Sequence, residues 1–509
     1  MITPTNKLIE ESIHDLLEDF DELLYLVLSQ RKKLELFITE INKVKSNLRS
    51  VVVKNILDNA TKCINSADDY VNEIEKSKES CSKIVSTKQL NHVYQKKLTL
   101  FENIRTLYSE TASLITALDW QSPSYLHSRF SMAGKQTGRI VGTMNDYKRD
   151  HSLDALALEN SFKKEYIDSF FKLPIQVCAT SSGMAAFTTI LNFLQMKQKI
   201  TGPILIGKSI YFENKTLVQN IFGNNVVEVD ENNTERVCEI ITRIKPSVIM
   251  FDSLTNTSNI SVPNLTEIIK YLIKTTSKET YLIIDNTTLS ISYQILKRTI
   301  GKSTTLHTIV FESLNKYYQF GMDRVTGGII WVHGKEGFDL FKTREYSGTN
   351  IADISAQAMP TPNRKLLTRR LARLGRNALF LASSLQQFVE QNKTIVSNIV
   401  YPGLPNHQSF SWSKNASFHG SFFIIAFKQK FRKISIYKKF VEEVIEEAKK
   451  QQVDLIAGTS FGFNTTRVYL TALHSEFGDP FIRVSVGTEP RAYIEKVNNV
   501  FINVMDTMK

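Results

Sequence analysis

The sequence predicts an α/β protein with a large domain built on a mostly parallel sheet, a small C-terminal α+β domain, and an all-α N-terminal extension. Three observations predict it. Glycine and proline, which break helices through excess freedom or a lost N–H donor, are absent between Pro4 and Pro123, and all 21 glycines fall from Gly134 onward. After Trp120, short apolar runs alternate with amphipathic stretches. Beyond about Lys365 a long basic helix leads into a second region of strands and helices. The expected boundaries are 1–120 for the extension, 121–385 for the large domain and 386–509 for the small one.

In the extension, Leu16, Phe20, Leu23, Val27, Leu34, Ile38, Ile41, Val44, Leu48 and Val52 recur at steps of three and four, the period of one helix face. Asn59 and Ser66-Ala67-Asp68-Asp69 offer breaks, and a further periodic stretch runs from Tyr94 through Phe101, Ile104 and Tyr108 to Ile115. About four helices are expected. No catalytic constellation occurs there, so the extension suits a bundle for oligomer contact or a docking surface for a protein or carrier partner.

The buried strands are read from Ile175 to Ala179, Pro203 to Ile206, Val226 to Val229, Ser247 to Phe251, Tyr281 to Ile284, Thr308 to Phe311 and Gly328 to Val332. Helical segments such as Leu265 to Thr275 lie between several of them, which implies a sheet covered on both faces. A long helix from Leu366 to Glu390 precedes the small domain, where Ser421 to Phe427, a helix near Ile436 to Gln451, and Phe481 to Val486 carry the pattern.

Composition bounds the function. A chain of 509 residues with 42% hydrophobic side chains has ample material for a large core, which excludes disorder, collagen and a disulfide miniprotein. The four cysteines, Cys63, Cys81, Cys178 and Cys238, lack C-x-x-C spacing, so no disulfide framework, zinc site or other metal is expected and the cytoplasm fits best. No apolar run approaches the roughly 18 to 20 residues that span a bilayer, and no signal peptide is visible. The formal charge is +12, yet lysine is scattered, so nucleic acid is not the expected partner. The densest basic stretch, Arg364, Lys365, Arg369, Arg370, Arg373 and Arg376, has helical spacing and reads as a solvated surface face.

Ligands of open α/β sheets sit at the carboxyl ends of strands. Thr180-Ser181-Ser182-Gly183-Met184-Ala185-Ala186 follows one strand and opens a helix whose amides suit an anion. Another strand ends on Asp285, a carboxylate that wants a cation if buried, and a third runs into Ser313-Leu314-Asn315-Lys316. A desolvated lysine there is a nucleophile. Taken singly, each is a common structural feature.

Together, the order Tyr-x-Arg, Ser-Gly-Met-Ala-Ala, Tyr, Asn, Asp-Asn-Thr, Ser-x-x-Lys, Tyr-Pro-Gly-Leu, Ser-x-Gly and Arg-x-Ser-Val-Gly resembles the cysteine and methionine metabolism family of pyridoxal-phosphate enzymes from about Ser131 to the C-terminus. That family includes cystathionine synthases and lyases, methionine lyases and homoserine sulfhydrylases, all of fold type I. The resemblance implies pyridoxal 5′-phosphate as cofactor, with Lys316 as the lysine that joins its aldehyde and Asp285 as the partner of its ring nitrogen. It further implies Asn256 at the phenolic oxygen and Tyr211 stacked on the ring. Gly183, Met184, Ser313 and Asn315 match phosphate binders, and Ser460 and Arg483 match the groups that hold the substrate carboxylate. Tyr147 and Arg149 match residues lent to the neighbouring subunit's phosphate, so a homodimer or homotetramer with shared active sites is implied.

Several positions depart from the family pattern. Asp150-His151-Ser152 replaces Asn-Pro-Thr, Asn315 replaces a threonine, and Phe212-Glu213-Asn214 replaces the glycines after the stacking tyrosine. Thr459 stands where cystathionine-processing members often carry glutamate, and no cysteine follows Tyr211 as in methionine lyases. His407 and His474 fit family positions and read as structural. The implied activity is β- or γ-elimination or replacement on an amino acid, with Lys316 moving the proton and Tyr211 or Tyr147 as acid or base. The alternatives are carbon–carbon bond formation, a carrier-tethered substrate docked on the helical extension, or a non-catalytic binding protein.

Overall fold

The computed structural model describes residues 4–43, 50–119, 121–122, 147–149, 152–168, 175–471 and 479–508. The chain opens with three long helices, α1 (Pro4–Lys43), α2 (Ser50–Cys81) and α3 (Thr87–Thr116). Leu16, Phe20, Leu23, Val27 and Leu34 of α1 and Tyr94, Ile104 and Tyr108 of α3 are buried. Among the described residues the extension thus holds three helices where about four are expected. Asn59 and Ser66 to Asp69 lie inside α2, where Asp68 bonds Arg31 of α1 at 2.6 Å. Packing against α1 outweighs the small propensity deficits of Asn, Ser and Asp. The break falls later, where Ser86 caps α3 by accepting the Gln89 amide.

All seven expected strands of the large sheet form: β1 (Ile175–Thr180), β2 (Ile204–Gly207), β3 (Val226–Val229), β4 (Val248–Asp252), β5 (Thr280–Asp285), β6 (Leu306–Ser313) and β7 (Gly328–His333). Their order is β1-β7-β6-β5-β4-β2-β3, parallel except that β7 runs antiparallel to β1 and β6. β4 is buried along its whole length, as a strand covered on both faces should be. Helices α4 (Leu153–Tyr166) and α5 (Gly183–Met196) flank β1 in sequence. The register pairs Asp252 with Asp285 and Asp285 with Phe311, so the carboxyl ends of β4, β5 and β6 finish side by side.

A second sheet follows the long helix α6 (Arg364–Gln391), with order β10-β11-β12-β9-β8. Its strands are β8 (Val396–Val400), β9 (Phe422–Phe427), β10 (Ile456–Ala457), β11 (Arg467–Thr471) and β12 (Phe481–Ser485), with helices α7 (Ile434–Lys450) and α8 (Arg491–Thr507). Leu367, Leu371 and Leu374 of α6 join the core that runs from the arm into the large sheet. Leu381 and Leu385 join a separate core with Ile425, Phe440, Val484 and Phe501. No helix of the described residues is long and apolar enough to cross a membrane.

The basic stretch of α6 is not a solvated face. Arg370 and Arg373 are buried, and the acidic face of α1 supplies their counter-charges. Arg373 meets Asp15 at 3.2 Å and Glu18 at 2.6 Å, Arg376 meets Asp15 at 2.7 Å, and Arg369 meets Asp21 at 3.5 Å. Arg364 pairs with Asp168, and of the six only Lys365 and Arg376 are exposed, Arg376 still paired with Asp15. Charges brought out of water need such partners, and Arg369, Arg370, Arg373 and Arg376 are committed to holding α1.

Candidate active site

The site lies at the strand ends. Ser182 caps α5 by accepting the Ala185 amide at 2.9 Å, leaving the first amides of the helix without intrahelical partners. A Cβ at Gly183 would sit 2.8 Å from Ser313 Cβ, so only glycine lets the helix start close on the end of β6. Gly183, Met184, Ser313 and Asn315 line one wall of a cavity of about 310 Å³. Asn315 Oδ1 is held by the Gly327 amide at 2.9 Å, which fixes the side chain.

Lys316 enters from the loop after β6. Its Nζ donates to Ser460 Oγ at 2.6 Å and lies 5.2 Å from the centre of the Phe461 ring. Burial pushes the amine down to about 8, the Arg483 charge adds to this, and Asp323, Asp285 and Glu213 oppose it. Ser460 has φ +67, a left-handed backbone that is costly for a non-glycine residue, and it is the one such residue on the cavity wall among the described residues.

Asp285 closes β5 at the cavity. Burial raises its carboxyl, while the Thr287 hydrogen bonds and the Lys316 charge favour ionisation. Beside it Asp252 is raised by burial and by the charges of Asp285 and Glu231, and accepts the Tyr211 amide at 2.9 Å. Two adjacent buried carboxylates call for a shared proton or a cationic N–H. Tyr211 also lines the cavity, and burial holds its phenol well above the usual range.

Arg483, on β12, is 3% exposed. Its Nη1 donates to Asn256 Oδ1 at 2.9 Å and Nη2 to Ser460 O at 3.3 Å, while Nε is buried with no partner. Burial brings this guanidinium down to about 10. An orphaned donor on a buried cation asks for an anion, and a carboxylate satisfies it in two-pronged fashion.

Ten of the residues singled out from the sequence therefore meet in one cavity: Gly183, Met184, Tyr211, Asn256, Asp285, Ser313, Asn315, Lys316, Ser460 and Arg483. Tyr147 and Arg149 do not line it. Both are exposed, on either side of Lys148, which is buried against Asp353 at 2.7 Å, Asp119 at 3.1 Å and Asp154 at 3.6 Å. His407 is buried, bonded to Ser409 Oγ and Asn259 O, as a structural histidine should be. His474 lies outside the described residues. The sequence reading missed Asp252, Asn214, Thr287 and Thr288 on the cavity wall. Asp252 carried a usable signal, since it ends β4 as Asp285 ends β5.

The donor set fits pyridoxal phosphate: a lysine of lowered pKa, a carboxylate for the ring nitrogen, a helix start for the phosphate and a guanidinium with an open donor. A profile of Cys/Met metabolism PLP-dependent enzymes matches residues 108–495. The chain belongs to this family. The match begins inside α3, ahead of the expected start near Ser131, and leaves α1 and α2 outside. The Cys/Met family fold is also seen in solved structures. Cystathionine gamma-lyase from Lactobacillus plantarum, complexed with L-serine, shares 19% identity at a TM-score of 0.57, covering 72% of this chain and 91% of that one. Cystathionine gamma synthase from Xanthomonas oryzae pv. oryzae, in complex with cystathionine, shares 15% at 0.57 over 73% and 90%. The metB protein of Corynebacterium glutamicum shares 22% at 0.55 over 77% and 97%. Among curated proteins, the bifunctional enzyme flvA of Aspergillus flavus is 22% identical over 315 residues, 61% of this chain. The aligned part is only 36% of that relative's length.

Proposed function

We propose that this chain uses pyridoxal 5′-phosphate to eliminate or replace a β- or γ-substituent of an amino acid. The observation that carries the reading is the placement of Lys316, Asp285 and Arg483 around one cavity. When bound, the cofactor supplies an electron sink for the charge left at the amino acid's Cα. Gly183, Met184, Ser313 and Asn315 would hold its phosphate, Tyr211 and Asn256 its ring, and Asp285 the proton on its ring nitrogen.

Arg483 and Ser460 orient the substrate carboxylate, so that the Cα proton faces Lys316. With its pKa near 8, Lys316 Nζ is partly unprotonated at neutral pH and takes that proton. Tyr211, whose phenol burial keeps protonated, stands on the cavity wall as the candidate acid or base toward the leaving group. Thr459 lines the cavity without charge, so a distal ammonium on the substrate finds no partner at that position. This favours substrates whose side chain ends in an uncharged leaving group.

Tyr147 and Arg149 are assigned to the cavity of a second copy, which makes a homodimer or a pair of dimers the working unit. The four cysteines are free, which suits the reducing cytoplasm. The test is spectroscopic and chemical. Purified protein should be yellow, should change its visible spectrum with O-acetyl-L-serine or O-acetyl-L-homoserine, and should release acetate. Ammonia and an oxoacid would mark elimination, and a new thioether formed with an added thiol would mark replacement. Lys316→Ala should lose the visible band and all release, and a variant retaining both overturns the proposal.

A further inference from the structure

The arm reaches the active site through one buried arginine. Arg370 of α6 is almost fully enclosed, with Nη1 donating to Glu22 Oε1 of α1 at 2.9 Å. Its Nη2 donates to Gly462 O at 2.9 Å and to Asn464 Oδ1 at 2.7 Å. That stretch follows directly on Ser460, whose hydroxyl accepts from Lys316 and whose carbonyl accepts from Arg483. On the other side, Gly321 ends the turn that begins at Lys316. A Cβ there would lie 2.7 Å from Asn464 Oδ1 and 2.8 Å from Arg370 Nη2, and its φ is +85. The guanidinium is therefore wedged between the lysine loop and the serine loop, and the arm supplies the acid that neutralises it.

We propose that Glu22 is a positioning residue for the active site, acting through Arg370 to hold the Ser460–Asn464 loop against the Lys316–Gly321 turn. The inference rests on the function proposed above. It also gives the arm a role inside the catalytic unit. Glu22 lies in the part of the chain that the family profile does not match, so the device belongs to the extension. Burial leaves the Glu22 carboxyl raised on balance, and the Arg370 charge is the largest influence opposing it. The strained Ser460 needs such support, since an unfavourable backbone persists only where surrounding contacts over-determine it.

The experiment compares Glu22→Gln with Asp21→Asn in the full-length protein loaded with pyridoxal 5′-phosphate. Asp21 of α1 pairs with Arg369 of α6 and with Lys78 of α2 without touching either loop, so it reports on packing of the helical extension alone. In Glu22→Gln, amide hydrogen exchange in peptides covering 316–324 and 459–466 should rise about threefold or more, and Asp21→Asn should leave both unchanged. With O-acetyl-L-homoserine as probe, KM should rise about three- to thirtyfold while kcat stays within about twofold. Should Glu22→Gln fail to fold, Glu22→Asp keeps the charge with a shorter reach and should show a smaller rise in the same exchange. Unchanged exchange in both loops overturns the proposal, as does an equal rise in Asp21→Asn. A wild-type protein without a visible band or acetate release would instead overturn the functional reading, and the exchange result would stand apart from it.

Discussion

Lys316 owes its reactivity to where it sits. An exposed lysine is almost wholly charged at neutral pH, but burial beside Arg483 brings this amine down to about 8. Only the unprotonated amine attacks an aldehyde. Capture of pyridoxal 5′-phosphate by cofactor-free protein should therefore speed up about tenfold per pH unit below that value and level off above it. Stopped-flow absorbance at fixed cofactor concentration measures this, and a profile still rising to pH 10 would place the lysine in water. Arg483 depends on its shape as well as its charge, because Asn256 and the Ser460 carbonyl fix the guanidinium plane. Arg483→Lys keeps the charge and loses the fork, so KM for the amino acid should rise about ten- to hundredfold with the visible cofactor band retained.

Between elements, the strongest statement concerns α1 and α6. Arg373 is buried among Asp15, Glu18 and Asp19, so replacing it leaves acids without a partner inside the protein. Arg373→Met should cost about 3–5 kcal/mol, whereas Arg369→Gln, whose pair is part-exposed, should cost under about 1 kcal/mol, both read from urea denaturation. This seam was the least legible feature of the sequence. Helical spacing located the arginines on one face, but their partners lie about 350 positions away and periodicity says nothing about them. The seven central strands were legible because a strand buried on both faces is a continuous apolar run. β11 was not, since it alternates buried and open positions over five residues, and the two residues of β10 are both exposed. At the site, strand-end reasoning found Asp285 and Lys316, and the same rule applied to β4 would have added Asp252. Tyr147 and Arg149 enter through family resemblance alone, because no local pattern in the sequence marks them.

At the scale of the whole molecule, the charge in the cavity does not balance a phosphate. Among the described residues its cations are Lys316 and Arg483, which the proposed function assigns to the cofactor aldehyde and the substrate carboxylate, while Asp252 and Asp285 are acids on the same wall. Arg149 is the assigned remedy, and its setting suits the task. Lys148 is pinned by Asp119, Asp154 and Asp353, so residues 147–149 have a fixed root, with the exposed Arg149 guanidinium 5.9 Å from the centre of the Tyr147 ring. A site assembled from two copies has a measurable signature. Take Lys316→Ala and Arg149→Ala chains, each inactive alone, co-expressed in equal amounts. Half of the dimers are then mixed, and each mixed dimer holds one cavity with both an intact lysine and an intact arginine from the other chain. About one quarter of wild-type activity should return, with about one quarter of the cofactor bound at wild-type affinity. If Arg149 instead served its own cavity, no arrangement of the two chains would restore a complete site beyond what either variant supports alone, and the mixture would stay at the level of its parents.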